Sequence, residues 1–268
     1  MLIKNILLSK TNLLLLASYF LASQYVHMNK LLLYIGLLLS VSLMRADVKD
    51  ELQSLREWKA GAVVSDKAIQ SFGIDNCFGV DVISDAVFAR MKGKSFKENS
   101  KISRSDLRYL RVLHVDNKGA INIGEMVCNQ QIANDLVAIF RQLYEARYPI
   151  ERMVLIDDYQ ADDETSMRAN NTSCFNYRQV QGSNKLSKHA QGLAVDINTL
   201  YNPCVKRKAN GTLSVQPSTA KKYVNRNARF PYKIVKDDLL YRLFIQHGFT
   251  WGGDWRSLKD YQHFEKKP

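Results

Sequence analysis

No stretch of this 268-residue chain stays apolar for the ~20 residues that a membrane-spanning helix needs. The two longest runs, Leu13 to Val26 and Leu31 to Leu43, are separated by Gln24, His27, Asn29 and Lys30, so neither is a convincing transmembrane helix. None of the four cysteines, Cys77, Cys128, Cys174 and Cys204, stands in a Cys-x-x-Cys pair, which argues against a zinc held by cysteine. No Pro-, Gly- or Ser-rich run divides residues 60–268, so they read as one domain. Acidic residues are missing altogether between Ile197 and Lys236, where nine Lys and Arg stand. That segment holds much of the net charge of +12, which favours polyanionic partners. With no nucleic-acid-binding motif in the chain, nucleic acid gives way to anionic lipid or the acidic polymers of a bacterial wall.

What is present falls into three parts. Residues 1–46 carry both apolar runs; the second is preceded by Met28-Asn29-Lys30 and followed by Ser42-Leu43-Met44-Arg45-Ala46, the pattern of a signal peptide. On that reading translation starts at Met28, and the mature chain begins near Asp47 in the periplasm or cell envelope. The alternative is an uncleaved membrane anchor, and membrane contact is expected only through this segment. Residues 47–59 place Leu52, Leu55 and Trp58 at threefold spacing in a charged background, a short amphipathic helix or a tether. Residues 60–268 form the main domain, with 203–236 read as a basic loop inserted over the site.

Within that domain Ile83 to Met91 suits a short helix, and Leu107 to Val115 a strand or a helix. The clearest periodicity lies in Gln131 to Arg147, where Ile132, Leu136, Val137, Phe140, Leu143 and Tyr144 recur at intervals of three or four. Met153 to Ile156 reads as a buried strand. It leads into the acidic run 157–164, expected to be a solvated loop or a second cation site. Asp237 to His247 gives another amphipathic helix, with His247 as a helix-end cation rather than a metal ligand.

The chemistry concentrates in two short motifs. His189 and Asp196 are seven apart, so a continuous strand would point them to opposite faces. Gly192 permits a turn between them, after which Leu193 to Ile197 has the character of a buried strand. A buried Asp needs a partner. His263 supplies a third ligand, and two His plus one Asp leave a tetrahedral zinc with one open position, as in catalytic sites. Asp260, three residues before His263, is placed to act as general base.

His189-x-x-Gly192-x-Ala194-x-Asp196 followed by Asp260-x-x-His263, with the lead-in Trp251-Gly252-Gly253-Asp254-Trp255, resembles the zinc D-alanyl-D-alanine carboxypeptidase family. That family includes the vancomycin-resistance D,D-peptidases, phage endolysins that cut peptide stems, and the hedgehog-like fold. The resemblance implies an α+β fold whose central antiparallel sheet carries one zinc per chain with helices packed on it. It also implies a peptidoglycan stem peptide as substrate and an arginine between Thr165 and Gln179 that contacts the substrate carbonyl or carboxylate. Arg178 is the first candidate and Arg168 the second, with Ser166 and Ser187 as further substrate-binding residues. The spacing from Arg178 to His189 is shorter than in the vancomycin-resistance enzymes. A carboxypeptidase, an endolysin-like endopeptidase and a non-catalytic wall-binding protein all remain open. Export would permit disulfides, so Cys174 and Cys204 either clamp the motif or stay as buried thiols.

Overall fold

The computed structural model describes residues 47–98, 101–180 and 183–267. The expectations for residues 1–46 lie outside them. The chain divides into two compact units, Met1–Asp50 and Glu51–Pro268, and the second holds the three sheets and the candidate ligands. Among the described residues no helix is long and apolar enough to cross a membrane.

Residues 47–57 form helix α1. Leu55 is buried, and the Trp58 indole donates to the Gly124 carbonyl at 3.0 Å. The largest sheet has the order β1-β4-β3-β2, built from β1 (Val63–Val64), β2 (Gly79–Val82), β3 (Leu107–Val115) and β4 (Ile121–Asn129). All its pairs are antiparallel, and β3 meets β4 in unbroken register from Leu107↔Asn129 to Val115↔Ile121. A local signal sets that register. Asp116 Oδ1 accepts the N–H groups of Lys118 and Ala120, and Gly119 takes the positive φ that closes the turn. The ambiguous stretch from Leu107 is therefore strand, while helix α2 (Asp66–Phe72) precedes β2 and helix α3 (Asp85–Met91) falls inside the expected short helix.

Helix α4 (Gln130–Glu145) starts where Asn129 caps it, accepting from Gln131 N at 3.0 Å, and packs on β3. Its buried stripe is Ile132, Ala133, Leu136, Ile139, Phe140 and Leu143. Val137 and Tyr144, assigned to that stripe by spacing, are only half-buried, because Ala133 and Ile139 face the sheet more squarely. Met153 to Leu155 are buried as expected but form no strand. Side chains satisfy much of their backbone instead: the Asn171 carboxamide takes both polar groups of Val154 at 3.0 Å, and Glu125 accepts from Leu155 N.

The acidic run is likewise not a solvated loop. Asp157 is buried, accepting from Ser95 N and Oγ; Asp158 pairs with Arg90; and Asp162 caps helix α5 (Asp163–Arg168). The first two tie one element to another, and Asp162 starts the next helix.

Two further three-stranded antiparallel sheets carry the rest, and two of the three candidate ligands stand on one of them. One has the order β5-β10-β8, from β5 (Ala194–Asp196), β8 (Phe249–Trp251) and β10 (His263–Lys266). Helix α6 (Leu239–Gln246), capped by Asp238, packs on it and on α4, with Phe244 between Phe140 and Phe264. The other has the order β7-β6-β9, from β6 (Cys204–Arg207), β7 (Leu213–Gln216) and β9 (Lys259–Asp260). The basic segment expected to be a loop is thus a hairpin pinned to the strand that bears Asp260. Arg226 anchors the chain beyond the hairpin: the guanidinium donates to Tyr201 O, Asn202 Oδ1 and Ile234 O, and lies 4.4 Å from the Tyr261 ring centre. Burial lowers its pKa to about 10, so one cation of this charged segment is structural rather than free.

Candidate metal centre and its cleft

His189 sits in a single 3-10 turn (His189–Gln191) that ends at Gly192 with φ +67°. Any side chain at 192 would meet Asn129 N at 2.6 Å, so the turn that re-aims the chain between the two ligands requires glycine. β5 then carries Asp196 directly opposite His263 of β10. These two pairings bring residues 74 positions apart into contact. His189 Nε2 lies 3.2 Å from His263 Nδ1 and 3.2 Å from Asp196 Oδ2, and His263 Nδ1 lies 3.0 Å from Asp196 Oδ1. Both imidazoles are buried.

The outer nitrogens decide what the inner ones offer. His189 Nδ1 faces the Cys174 carbonyl at 2.7 Å, and His263 Nε2 faces Glu265 Oε2 at 3.1 Å. With those N–H groups donating outward, each neutral ring turns a lone pair inward. Two nitrogen lone pairs and a carboxylate then converge on one place with no donor among them, an arrangement that calls for a cation. The donor set, two imidazoles and one carboxylate, fits zinc. Among the described residues this is the one cluster that could hold a metal. The electrostatics agree. Burial opposes the charged form of Asp196, yet the two imidazoles outweigh it and hold the carboxyl well below its usual range. Burial likewise opposes imidazolium at His263, but Asp196 and Glu265 outweigh it and raise the ring to about 10, so the site favours a positive charge, carried by a proton until a metal ion displaces it.

Asp260 stands beside this centre. Its Oδ1 is buried without a hydrogen-bond partner, and its pKa is pushed up to about 6, first by burial and then by the charge of Asp196. Such a carboxyl can give and take a proton near neutrality. The glycine pair of the lead-in motif explains how it is held. A Cβ at Gly252 would lie 2.6 Å from Asp260 O, and one at Gly253 would press against the Trp251 ring at 2.3 Å. Trp251 Nε1 in turn donates to Tyr261 O at 3.0 Å, fixing the chain between base and ligand.

The centre opens into a cleft of about 770 Å³ lined by all three ligand candidates, Asp260, Ser187 and Arg178. Ser187 is buried and its Oγ accepts from His189 N at 3.1 Å, so it steadies the ligand turn while its own proton stays available. Arg178 reaches the cleft but forms an ion pair with Asp163. Arg168 and Ser166 are not in its lining. Arg168 is half-exposed and tied to Glu164 and Ser218, while Ser166 is buried and bonded to Asn171, because α5 turns both away. The four cysteines are free thiols, so no clamp joins Cys174 to Cys204. Cys174 Sγ rests on Gly192 O, and Cys204 pairs across the ladder with Asp260. His247 meets Asp135 at 2.9 Å, away from the metal centre.

Three participants escaped the sequence reading. Glu265, which orients His263, had a usable signal: on a strand, positions two apart share a face. The Cys174 carbonyl and Gln262, a cleft-lining residue whose buried Oε1 has no partner, had none.

Residues 181–266 match the family model described as D-alanyl-D-alanine carboxypeptidase. The matched segment contains His189, Asp196, Asp260, His263 and Glu265, and it leaves out both arginines. No curated protein and no solved structure gives a significant match.

Proposed function

We propose that this chain, whose residues 181–266 match the family model described as D-alanyl-D-alanine carboxypeptidase, is a zinc-dependent hydrolase of peptidoglycan stem peptides. It removes the terminal D-alanine from a hedgehog/D,D-peptidase-like site that binds one zinc per chain through His189, Asp196 and His263. One observation carries the reading: three inward-facing ligand atoms share an open cleft with Asp260, whose Oδ1 is buried without a hydrogen-bond partner. A zinc bound there supplies a Lewis acid for the scissile carbonyl and makes water more acidic. Asp260 takes the proton of the attacking water and returns it to the leaving amine, a role suited to a carboxyl pushed up to about 6. Glu265 and the Cys174 carbonyl hold the two imidazoles in the orientation that keeps their inner nitrogens free.

A protein that merely binds wall polymers would have no use for Asp260, whose burial works against its charge. An endopeptidase reading has a specific observation behind it. Arg178, the residue expected to receive a terminal carboxylate, already has Asp163 as its carboxylate partner. Placement in the periplasm or envelope, and attraction of acidic wall strands by the basic hairpin, belong to the same proposal.

Mass spectrometry of products from defined tri-, tetra- and pentapeptide stems, with and without chelator, tests it. Release of a single D-alanine from the pentapeptide, abolished by chelator and restored by zinc, is the expected result. Cleavage only inside cross-linked wall would establish the endopeptidase, and no cleavage by zinc-loaded protein would sink both.

A further inference from the structure

We propose that Lys206 receives the terminal carboxylate of the substrate and Gln262 accepts an amide N–H from its acyl side, so that the peptide lies along the β6–β9 ladder in one direction. The inference rests on the peptidase reading above and gives that cleft a polarity. It starts from register. Cys204 stands opposite Asp260 and Val205 opposite Lys259, and the ladder continues through Tyr261 N–H to Pro203 O at 3.4 Å. Strand side chains alternate, so Lys206 shares the face of Cys204 about 7 Å further along. The chain runs the opposite way in β9, so Gln262 falls on the far side of the Cys204–Asp260 pair. Cys204, Lys206, Asp260 and Gln262 all line the cleft. The base therefore sits between a cation and an amide oxygen.

Position and charge together separate Lys206 from the other cations. Arg178 is held by Asp163 and Arg168 by Glu164 and Ser218, while Lys185 and Lys188 line the cleft on the segment leading into His189, off the ladder that carries Asp260. Among the described residues Lys206 makes no ion pair, and its segment has no acidic residue from 197 to 236. It is exposed at the cleft, so its flexible four-carbon stem can reach back toward the base. A leaving amino acid places its carboxylate only one residue, about 3.5 Å of extended chain, beyond the scissile carbonyl. Ser214, opposite Lys206 in the β6–β7 pair and also in the cleft, adds a hydroxyl beside that position.

The other end rests on an orphaned atom. Gln262 is 2% exposed; its Nε2 is turned to Met167 Sδ at 3.5 Å, and its Oε1 has no partner. A buried amide oxygen is costly to leave unpaired, and a peptide N–H satisfies it.

The test compares a pentapeptide stem with its C-terminal amide, using zinc-loaded full chain and reading kcat/KM for each. Wild type should prefer the free acid by about tenfold to a hundredfold, the gain of a charge-assisted contact. Lys206→Gln should bring the ratio close to one, mainly by raising KM for the acid, and Lys206→Glu should turn it toward the amide. Arg178→Gln and Lys188→Gln should leave it unchanged. Gln262→Leu should lower kcat/KM about tenfold on acid and amide alike. A ratio preserved in Lys206→Gln, or lost in Arg178→Gln, overturns the assignment. Wild type that cuts both peptides equally overturns it while the peptidase stands, and wild type that cuts neither overturns both.

Discussion

The body made by β3, β4 and α4 buries Leu110, Val112, Leu113, Ile123, Leu136 and Ile139 completely, and the one carboxylate deep inside it, Glu125, is surrounded by partners. Arg90 binds it through two nitrogens, Tyr109 donates at 2.7 Å and Leu155 N at 3.4 Å. Around the cleft, on strands β5, β9 and β10, one carboxyl, Asp260, keeps a buried oxygen without a hydrogen-bond partner, and so does the amide of Gln262. A buried polar group is cheap when paired and costly when not. The contrast therefore separates a part of the molecule finished within itself from a part that is completed by what it binds.

Four outcomes would sharpen or break that division, and the largest concerns the base. Asp260→Asn should lower kcat about 10²- to 10⁴-fold, with zinc content unchanged. It should not lower Tm, because the folded carboxyl is raised from its ordinary 3.8 to about 6 and its ionised form weakens the fold above that pH. Wild-type turnover should for the same reason fall as pH drops through about 6, where the base becomes protonated. Loss of zinc in the variant would make Asp260 a ligand instead. In the body the opposite pattern is expected. Leu136→Ala removes a fully buried side chain of α4, should cost about 2–5 kcal/mol by denaturant titration, and should leave kcat/KM of the folded fraction intact. A large change in kcat/KM there would mean that body and cleft are not separable.

The third outcome uses the body's own exception. His114 is fully buried with Nδ1 on the Ile150 carbonyl and Nε2 unpaired, and burial lowers its pKa from 6.5 to about 4. The unfolded chain binds a proton at this residue between those values and the folded chain does not. Stability should accordingly fall as pH drops from about 6.5 to 4, by at most about 3 kcal/mol. His114→Leu should flatten that slope in urea titrations of the zinc-loaded protein. The smallest effect belongs to the outer layer of the metal centre: Glu265→Gln should weaken zinc about 10- to 100-fold, read by competition with a chelating dye. Unchanged affinity would show that the His263 ring is held by its strand alone.

The parts legible in the sequence share a physical property. The α4 helix was readable because its period is local, and Gly192 because a turn between two ligands needs a residue free to take positive φ. Met153 to Leu155 misled because burial and apolar character do not say whether the backbone partner is another strand or, as here, Asn171 and Glu125 side chains. The basic segment misled for the opposite reason. A run without acidic residues looks solvated until Arg226 is seen to be folded into three backbone and side-chain acceptors.

His189, Asp196, Asp260 and His263 were marked by the sequence itself, since few residue types bind zinc or move protons and their spacing survives without any coordinates. Which nitrogen of each ring turns inward, whether Arg178 is free or held by Asp163, and where Lys206 stands relative to the base were decided only by tertiary structure. Each depends on pairing between segments tens of residues apart, and a one-residue slip in such a ladder reverses every side chain it carries.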